Sequence, residues 1–122
     1  MKKLILAAVV ALSPVAASAA PLTGAWAFTG AFSSMGINFA LNCRFTQTGG
    51  ALSGPCRDPK QPADVQATGS VAGANVTFAY DTNYMGVAVH LVYKGVLQPN
   101  GSIAGGVDAG TVQGTFSGAR SR

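Results

Sequence analysis

The sequence predicts an all-β protein: one antiparallel up-and-down barrel of about eight strands, with no helix after the leader. Apolar and polar residues alternate with a period of two along the chain, most strictly over residues 37–45, as in strands that bury one face. Short turn sequences separate these runs. When the chain is folded at each turn, the apolar residues of every strand lie on the same face of the sheet. A twisted meander of this size must close on itself or split into two sheets, and its many inward glycines favour closure.

The first 19 residues are predicted to be a secretory signal peptide, which leaves residues 20–122 as the barrel domain. Two lysines precede an apolar run over residues 4–12, and Ala17-Ser18-Ala19 fits a cleavage site. The absence of a cysteine beside the cut argues against a lipid anchor, and no later run is long enough for a membrane helix. The sequence therefore predicts a periplasmic or secreted protein without a membrane span.

The first two hairpins bring the two cysteines together. A turn at residues 33–36 places Trp26 opposite Cys43, and a turn at Gly49-Gly50 places Cys43 opposite Cys56. This pair falls at a non-hydrogen-bonded position, where Cα atoms lie about 4.5 Å apart, a distance that suits a disulfide. A disulfide also fits an oxidising compartment, and the alternative is two free buried thiols.

Later turns set the register of the remaining strands. A proline loop follows Cys56, and a turn at Thr82-Asn83 is predicted to pair Tyr80 with Met85. The turn at residues 99–101 pairs Leu97 with Ile103. A last turn near residues 109–110 pairs Val107 with Val112.

Two other all-β folds are less consistent with the pattern. A membrane barrel has the same alternation with its faces reversed, but several strands look too short to cross a bilayer. A β-sandwich usually needs longer connections between its sheets than these turns provide.

Gly24-Ala25-Trp26 resembles the Gly-x-Trp signature of the calycin superfamily, which includes lipocalins, fatty-acid-binding proteins and avidins. The resemblance implies a small up-and-down barrel in which an arginine of the last strand packs across this tryptophan, a role that falls to Arg120. Residues 22–26 look most like an avidin opening. Avidins bind biotin with several tryptophans, whereas Trp26 is the only one here, so the resemblance implies the barrel and not biotin binding.

The chain also resembles the periplasmic inhibitor of serralysin-type metalloproteases, a small disulfide-bonded barrel with a Gly-x-Trp opening. That inhibitor pushes an N-terminal arm into the protease cleft. Here only Ala20 and Pro21 would precede the barrel.

The ionisable residues do not suggest catalysis, a metal, a cofactor or nucleic acid. The net charge of +4 falls by two when Lys2 and Lys3 leave with the leader, and the remaining cations are scattered rather than arranged in a stripe. The only histidine, His90, lies on the polar phase and should face outward. Glutamate is absent, and the four aspartates do not form a dyad or a Cys/His/Asp cluster. We therefore expect a non-enzyme.

The interior is the first candidate binding site, for a small apolar ligand. Its inward aromatic side chains either fill a narrow barrel or line a ligand slot, and a band of inward glycines at residues 30, 95, 105 and 114 favours the slot. The candidate ligand-binding residues are Phe28, Phe39, Phe78, Tyr80, Tyr93 and Phe116.

Two outer features are candidate protein-binding surfaces. One is the proline loop over residues 57–64, and the other is the outer face of the strand 85–97, where Ala88, Val92 and Val96 form a mild apolar strip. They support the alternative function, a periplasmic enzyme inhibitor or interaction module with a filled core.

Overall fold

The structure is a computed structural model that describes residues 22–121, and these form eight antiparallel strands and one short 3₁₀ helix. The predicted leader, residues 1–19, lies outside the described residues. The 3₁₀ helix spans Ser33–Met35. The strands are β1 Gly24–Phe32, β2 Ile37–Thr48, β3 Ala51–Arg57, β4 Val65–Ala72, β5 Asn75–Tyr84, β6 Val87–Leu97, β7 Ile103–Asp108 and β8 Gln113–Arg120.

The strands close into a barrel in chain order, which confirms the predicted fold. Each strand pairs with the next, and β8 returns to pair with β1, where Trp26 lies opposite Arg120. Closure leaves no free strand edge, so every strand is paired on both sides.

The register predicted for the first hairpins is confirmed. Trp26 pairs with Cys43, and Cys43 pairs with Cys56. The two cysteines form a disulfide with their Cα atoms 4.0 Å apart. Paired residues on β2 and β3 are interrupted between Cys43–Cys56 and Thr46–Ser53, where Pro55 cannot donate to the ladder. The predicted Leu97–Ile103 pair of β6 and β7 is also present.

The predicted register of β5 and β6 is wrong by six residues. Tyr80 pairs with Leu91 instead of Met85, and the turn lies at Met85-Gly86 rather than at Thr82-Asn83. Both turn residues have positive φ, 52° and 82°, as a two-residue primed turn requires. The shift is an even number of residues, so the inward face is unchanged. The strand β5 extends to Tyr84, beyond the predicted turn, and β6 begins at Val87 instead of Met85.

The predicted register of β7 and β8 is wrong by two residues. Val107 pairs with Gly114, and residues 109–112 form the connection in place of a tighter turn at 109–110. The Asp108 side chain accepts a hydrogen bond from the Gly110 amide at 2.7 Å, and the Ala109 amide donates to the Val112 carbonyl. These bonds stabilise a longer turn than the residue types indicated.

The barrel has two different ends. We call the end that carries residues 22–23, Arg120 and the β2–β3, β4–β5 and β6–β7 turns the closed end. The other end, which carries residues 33–36, 58–64, 85–86 and 109–112, is the mouth. The buried core extends from the closed end to the middle of the barrel: Leu22, Trp26, Phe28, Phe45, Leu52, Phe78, Tyr93 and Ile103 are all at most 2% exposed.

Candidate ligand-binding site

Trp26 and Arg120 meet at the closed end, as the Gly-x-Trp resemblance implied. Trp26 is buried, and its Nε1 donates to the Leu22 carbonyl at 2.9 Å. The Arg120 guanidinium carbon lies 4.9 Å from the indole centroid, and Nη1 donates to the Thr23 carbonyl at 2.9 Å. A ligand therefore has no entrance between these groups.

Aromatic rings fill the closed half of the barrel. Phe28 lies 5.4 Å from Phe78 and 5.8 Å from Phe116 between ring centroids, and Phe45 lies 5.2 Å from Phe78. All four side chains are buried. Three of the predicted ligand-binding residues, Phe28, Phe78 and Phe116, thus belong to this packed cluster, and none of them lines the cavity described next.

The inward glycines do not leave a slot, contrary to the interpretation of the glycine band. A Cβ at Gly30 would meet the Phe39 ring, and one at Gly95 would lie 2.9 Å from the Phe116 ring. A Cβ at Gly105 would collide with the Lys94 carbonyl of the neighbouring strand. The missing side chains make room for neighbouring rings and for close approach of strands, so the space they leave is occupied.

A cavity of about 360 Å³ lies in the mouth half of the barrel. This volume is within the range of small-molecule sites, about 300–1,000 Å³. It is open to solvent at the mouth, and its lining is mainly apolar. The apolar lining comes from inward side chains of four strands and the β7–β8 connection: Phe32, Ile37, Phe39, Leu41, Val65, Val89, Leu91 and Val112.

Two tyrosines form the floor of this cavity. Tyr93 stacks on Phe78 with centroids 4.5 Å apart and lies 5.1 Å from Phe116, so it covers the packed cluster. The Tyr80 and Tyr93 hydroxyls are 2.7 Å apart and share a hydrogen bond. Both side chains line the cavity, as does Phe39. The structure therefore brings three of the six predicted ligand-binding residues to the cavity.

Burial keeps both hydroxyls protonated. Loss of solvent raises the pKa of Tyr93, and the neighbouring Tyr80 raises it further. Burial also raises the pKa of Tyr80, against the opposing effect of its hydrogen bond to Tyr93. At neutral pH the floor thus presents two neutral phenols, each able to donate and to accept.

The rim of the mouth is unusually apolar for a surface. Met35, Tyr84, Met85 and Val87 are 52, 46, 87 and 63% exposed. Three of these four residues lie in the β5–β6 turn or directly beside it, since Tyr84 ends β5 and Val87 begins β6. Apart from the tyrosines, the ionisable side chains of the lining are those of Asp58 and Lys60, both in the loop between β3 and β4. A molecule entering the cavity therefore passes a mostly apolar edge with one short charged segment.

The predicted proline loop folds over one side of the mouth. The Asp58 side chain accepts from the Lys60 amide at 2.8 Å, and the Asp58 carbonyl accepts from the Gln61 amide at 2.8 Å. Arg57 donates to the Pro62 carbonyl at 3.3 Å. These local bonds hold the loop in a turn whose residues line the cavity.

His90 faces outward, as predicted. Its Nδ1 lies 2.7 Å from Asp81 Oδ1, and both side chains are exposed on the outer face of the β5–β6 pair. Within residues 22–121, no group of three or more His, Cys, Asp or Glu side chains could hold a metal ion. In the same part of the chain, no helix is long and apolar enough to cross a membrane.

Sequence reasoning missed most of the aliphatic lining. Ile37, Val65, Val89 and Leu91 have the inward phase, but nothing in residue type separates a lining position from a core position. The available signal is their distance from the turns. Each lies near a connection at the mouth, where inward side chains have neighbours on one side only.

No family model, curated protein or solved structure matches this chain.

Proposed function

We propose that this protein is a secreted, non-catalytic binding module of calycin-like architecture that holds a small apolar ligand in the mouth half of its barrel. The observation that carries the proposal is the cavity of about 360 Å³, apolar in its lining and open at one end. Apolar pockets with few polar groups are the usual form of small-molecule sites. The Gly-x-Trp opening, the Arg120 contact with Trp26 and the closed barrel of eight strands support the calycin-like assignment.

The division of the barrel into two halves supports a carrier over an inhibitor with a solid core. The packed rings of the closed half and the disulfide hold the walls in place. The mouth half can then remain open without collapse, so binding needs little reorganisation. An inhibitor needs a protruding loop, whereas the loop between β3 and β4 bonds to itself beside the cavity.

Export is the second part of the proposal. The predicted signal peptide supports it, and the Cys43–Cys56 disulfide fits an oxidising compartment. A carrier in such a compartment would take up its ligand from solution or from another protein.

A fluorescence titration with N-phenyl-1-naphthylamine tests the binding proposal. This uncharged probe becomes emissive when water is excluded from it. We expect saturable binding to the wild type. Val89 points into the cavity from β6, so Val89→Trp should fill the mouth half and weaken binding roughly tenfold or more by excluding the probe.

The matched control is Val96→Trp, the same substitution on the outer face of β6, where Val96 is 44% exposed. It should leave binding unchanged. Leu91→Trp serves as a second plug, and the melting temperature of each variant shows that the barrel is folded. Equal binding by the wild type and both folded plug variants, or no saturable binding at all, would refute the proposal.

A further inference from the structure

We propose that the Tyr80–Tyr93 hydroxyl pair selects apolar ligands that carry one uncharged oxygen acceptor, such as a ketone, at the end that reaches the cavity floor. The inference rests on the proposed function, because it names the class of molecule that the same cavity would take. It goes further in assigning a specificity-determining pair and an orientation for the ligand.

The two hydroxyls at the floor have one more proton than their mutual hydrogen bond uses. A phenol hydroxyl has one proton to donate and can accept as well. The 2.7 Å contact between the two oxygens uses one of the two protons. Among the described residues neither hydroxyl has another hydrogen-bond partner, so one O–H proton is left for whatever occupies the cavity.

The surroundings of that proton are apolar. Phe39 lies 6.2 Å from Tyr93 between ring centroids, and Leu41 and Leu91 line the same region. Tyr80 is 8% and Tyr93 1% exposed. A donor in such an apolar site is costly to leave unpaired, so a ligand that offers an acceptor there gains over one that does not.

The charges around the cavity disfavour an anionic group at the floor. Asp58 is a half-buried lining residue, and after burial and the Tyr80–Tyr93 contact its negative charge makes a smaller contribution that raises the pKa of both tyrosines. A ligand carboxylate at the floor would lose its hydration and face that charge. The cation of the lining, Lys60, is exposed and lies at the rim. The floor therefore favours a neutral acceptor over an anion.

Four naphthalenes with one shared skeleton test the inference by displacement of N-phenyl-1-naphthylamine: naphthalene, 2-methoxynaphthalene, 2-acetylnaphthalene and 2-naphthoate. We expect 2-acetylnaphthalene to bind about fivefold more tightly than naphthalene, which is the gain of one net hydrogen bond. The naphthoate should bind more weakly than the ketone.

Single and double variants then locate the preference. Tyr80→Phe or Tyr93→Phe alone leaves one hydroxyl with a free proton, so each should keep the preference for the ketone. The double variant should bind naphthalene as the wild type does and lose the preference. Tyr84→Phe is the matched control, since it removes an exposed hydroxyl at the rim.

The outcomes separate this inference from the proposed function. If the naphthalenes bind but the double variant still prefers the ketone, or the wild type has no preference, the floor assignment is wrong and the carrier stands. If the naphthoate binds best and the tyrosine variants do not change that, the rim and Lys60 select the ligand. If the probe binds but none of the four naphthalenes displaces it, the floor assignment fails and the carrier stands. If the probe itself does not bind, both proposals fail.

Discussion

Removal of the Cys43–Cys56 disulfide should destabilise the barrel strongly. The two cysteines are separated by 13 residues and are both buried, at 4% and 0% exposed. The bond joins β2 to β3 between the packed cluster and the cavity, and Cys56 itself lines the cavity. We therefore expect the double variant Cys43→Ala/Cys56→Ala to lose stability and also part of the cavity wall.

The size of the loss follows from the loop that the bond closes. In the chain-entropy account, a loop of this length stabilises the folded state by about 3 kcal/mol, because it restricts the unfolded chain. For a domain of this size, a loss of that magnitude lowers the melting temperature by about 12–24 °C. Loss of the buried sulfur atoms should add to the effect in the same direction.

Urea unfolding followed by tryptophan emission measures this loss directly. Trp26 is the only tryptophan, is 1% exposed and lies opposite Cys43 in the β1–β2 pair. The wild type in dithiothreitol should approach the stability of the double variant, and the double variant should not respond to the reductant. A double variant within about 1 kcal/mol of the oxidised wild type would refute the entropic reasoning, because the hairpin would then need no covalent bond.

Three further predictions concern the closed end, the strand contacts and the cavity floor. Arg120→Ala should lower the free energy of unfolding in urea by about 1–2 kcal/mol, because the contact with the indole and a hydrogen bond to a carbonyl are lost. Arg120→Lys should recover only part of this free energy. An Ala variant as stable as the wild type would contradict the prediction. Gly105→Ala should cost about 1–3 kcal/mol in the same assay because its Cβ would meet the Lys94 carbonyl. The matched control Gly106→Ala should change stability by about 0.5 kcal/mol or less, because its Cβ would lie 3.5 Å from the Gly114 carbonyl oxygen, an ordinary van der Waals contact. Equal effects of the two substitutions would be inconsistent with the strand spacing. Folding raises the pKa of Tyr80 and Tyr93 above 10.0, so ionisation of these groups should not affect stability below about pH 10. Above that pH the free energy of unfolding should fall by up to about 1.4 kcal/mol per pH unit for each tyrosine. A Tyr80→Phe/Tyr93→Phe variant with the same alkaline slope as the wild type would refute this.

Which side chains face the interior could be predicted from the sequence, because alternate residues of a strand point to opposite faces of the sheet. Trp26, Cys43, Phe78 and Tyr93 all lie inside as the alternation indicated. The error of six residues at β5–β6 did not disturb this, since an even shift returns every side chain to the same face. The fold and the disulfide therefore followed from the pattern even where a turn was misplaced.

The position of that turn could not be predicted from residue preferences. Thr82-Asn83 has the composition of a turn, whereas Met85 is a residue type that rarely takes positive φ. The ten pairs from Asn75–Val96 to Tyr84–Val87 stabilise the longer hairpin as a whole. Pairing over many residues thus outweighed the local preference at one.

The candidate site was predictable only in part. Phe39, Tyr80 and Tyr93 could be identified as inward aromatic residues, and they do line the cavity. An inward ring is part of the packed core if other side chains cover it from the mouth side, and it lines the cavity if none do. The alternation of apolar and polar residues does not distinguish these two cases. Gly30 illustrates this, because its missing side chain is replaced by the ring of Phe39 from the neighbouring strand.

The position of a bound probe in solution shows directly whether the mouth half of the barrel is the ligand site. We would record intermolecular nuclear Overhauser effects between 2-acetylnaphthalene and the isotope-labelled protein. We expect contacts to Ile37, Val89 and Leu91 in the mouth half, with the acetyl group next to Tyr93. Contacts confined to Val96 on the outer face, or to the exposed rim residues alone, would contradict it.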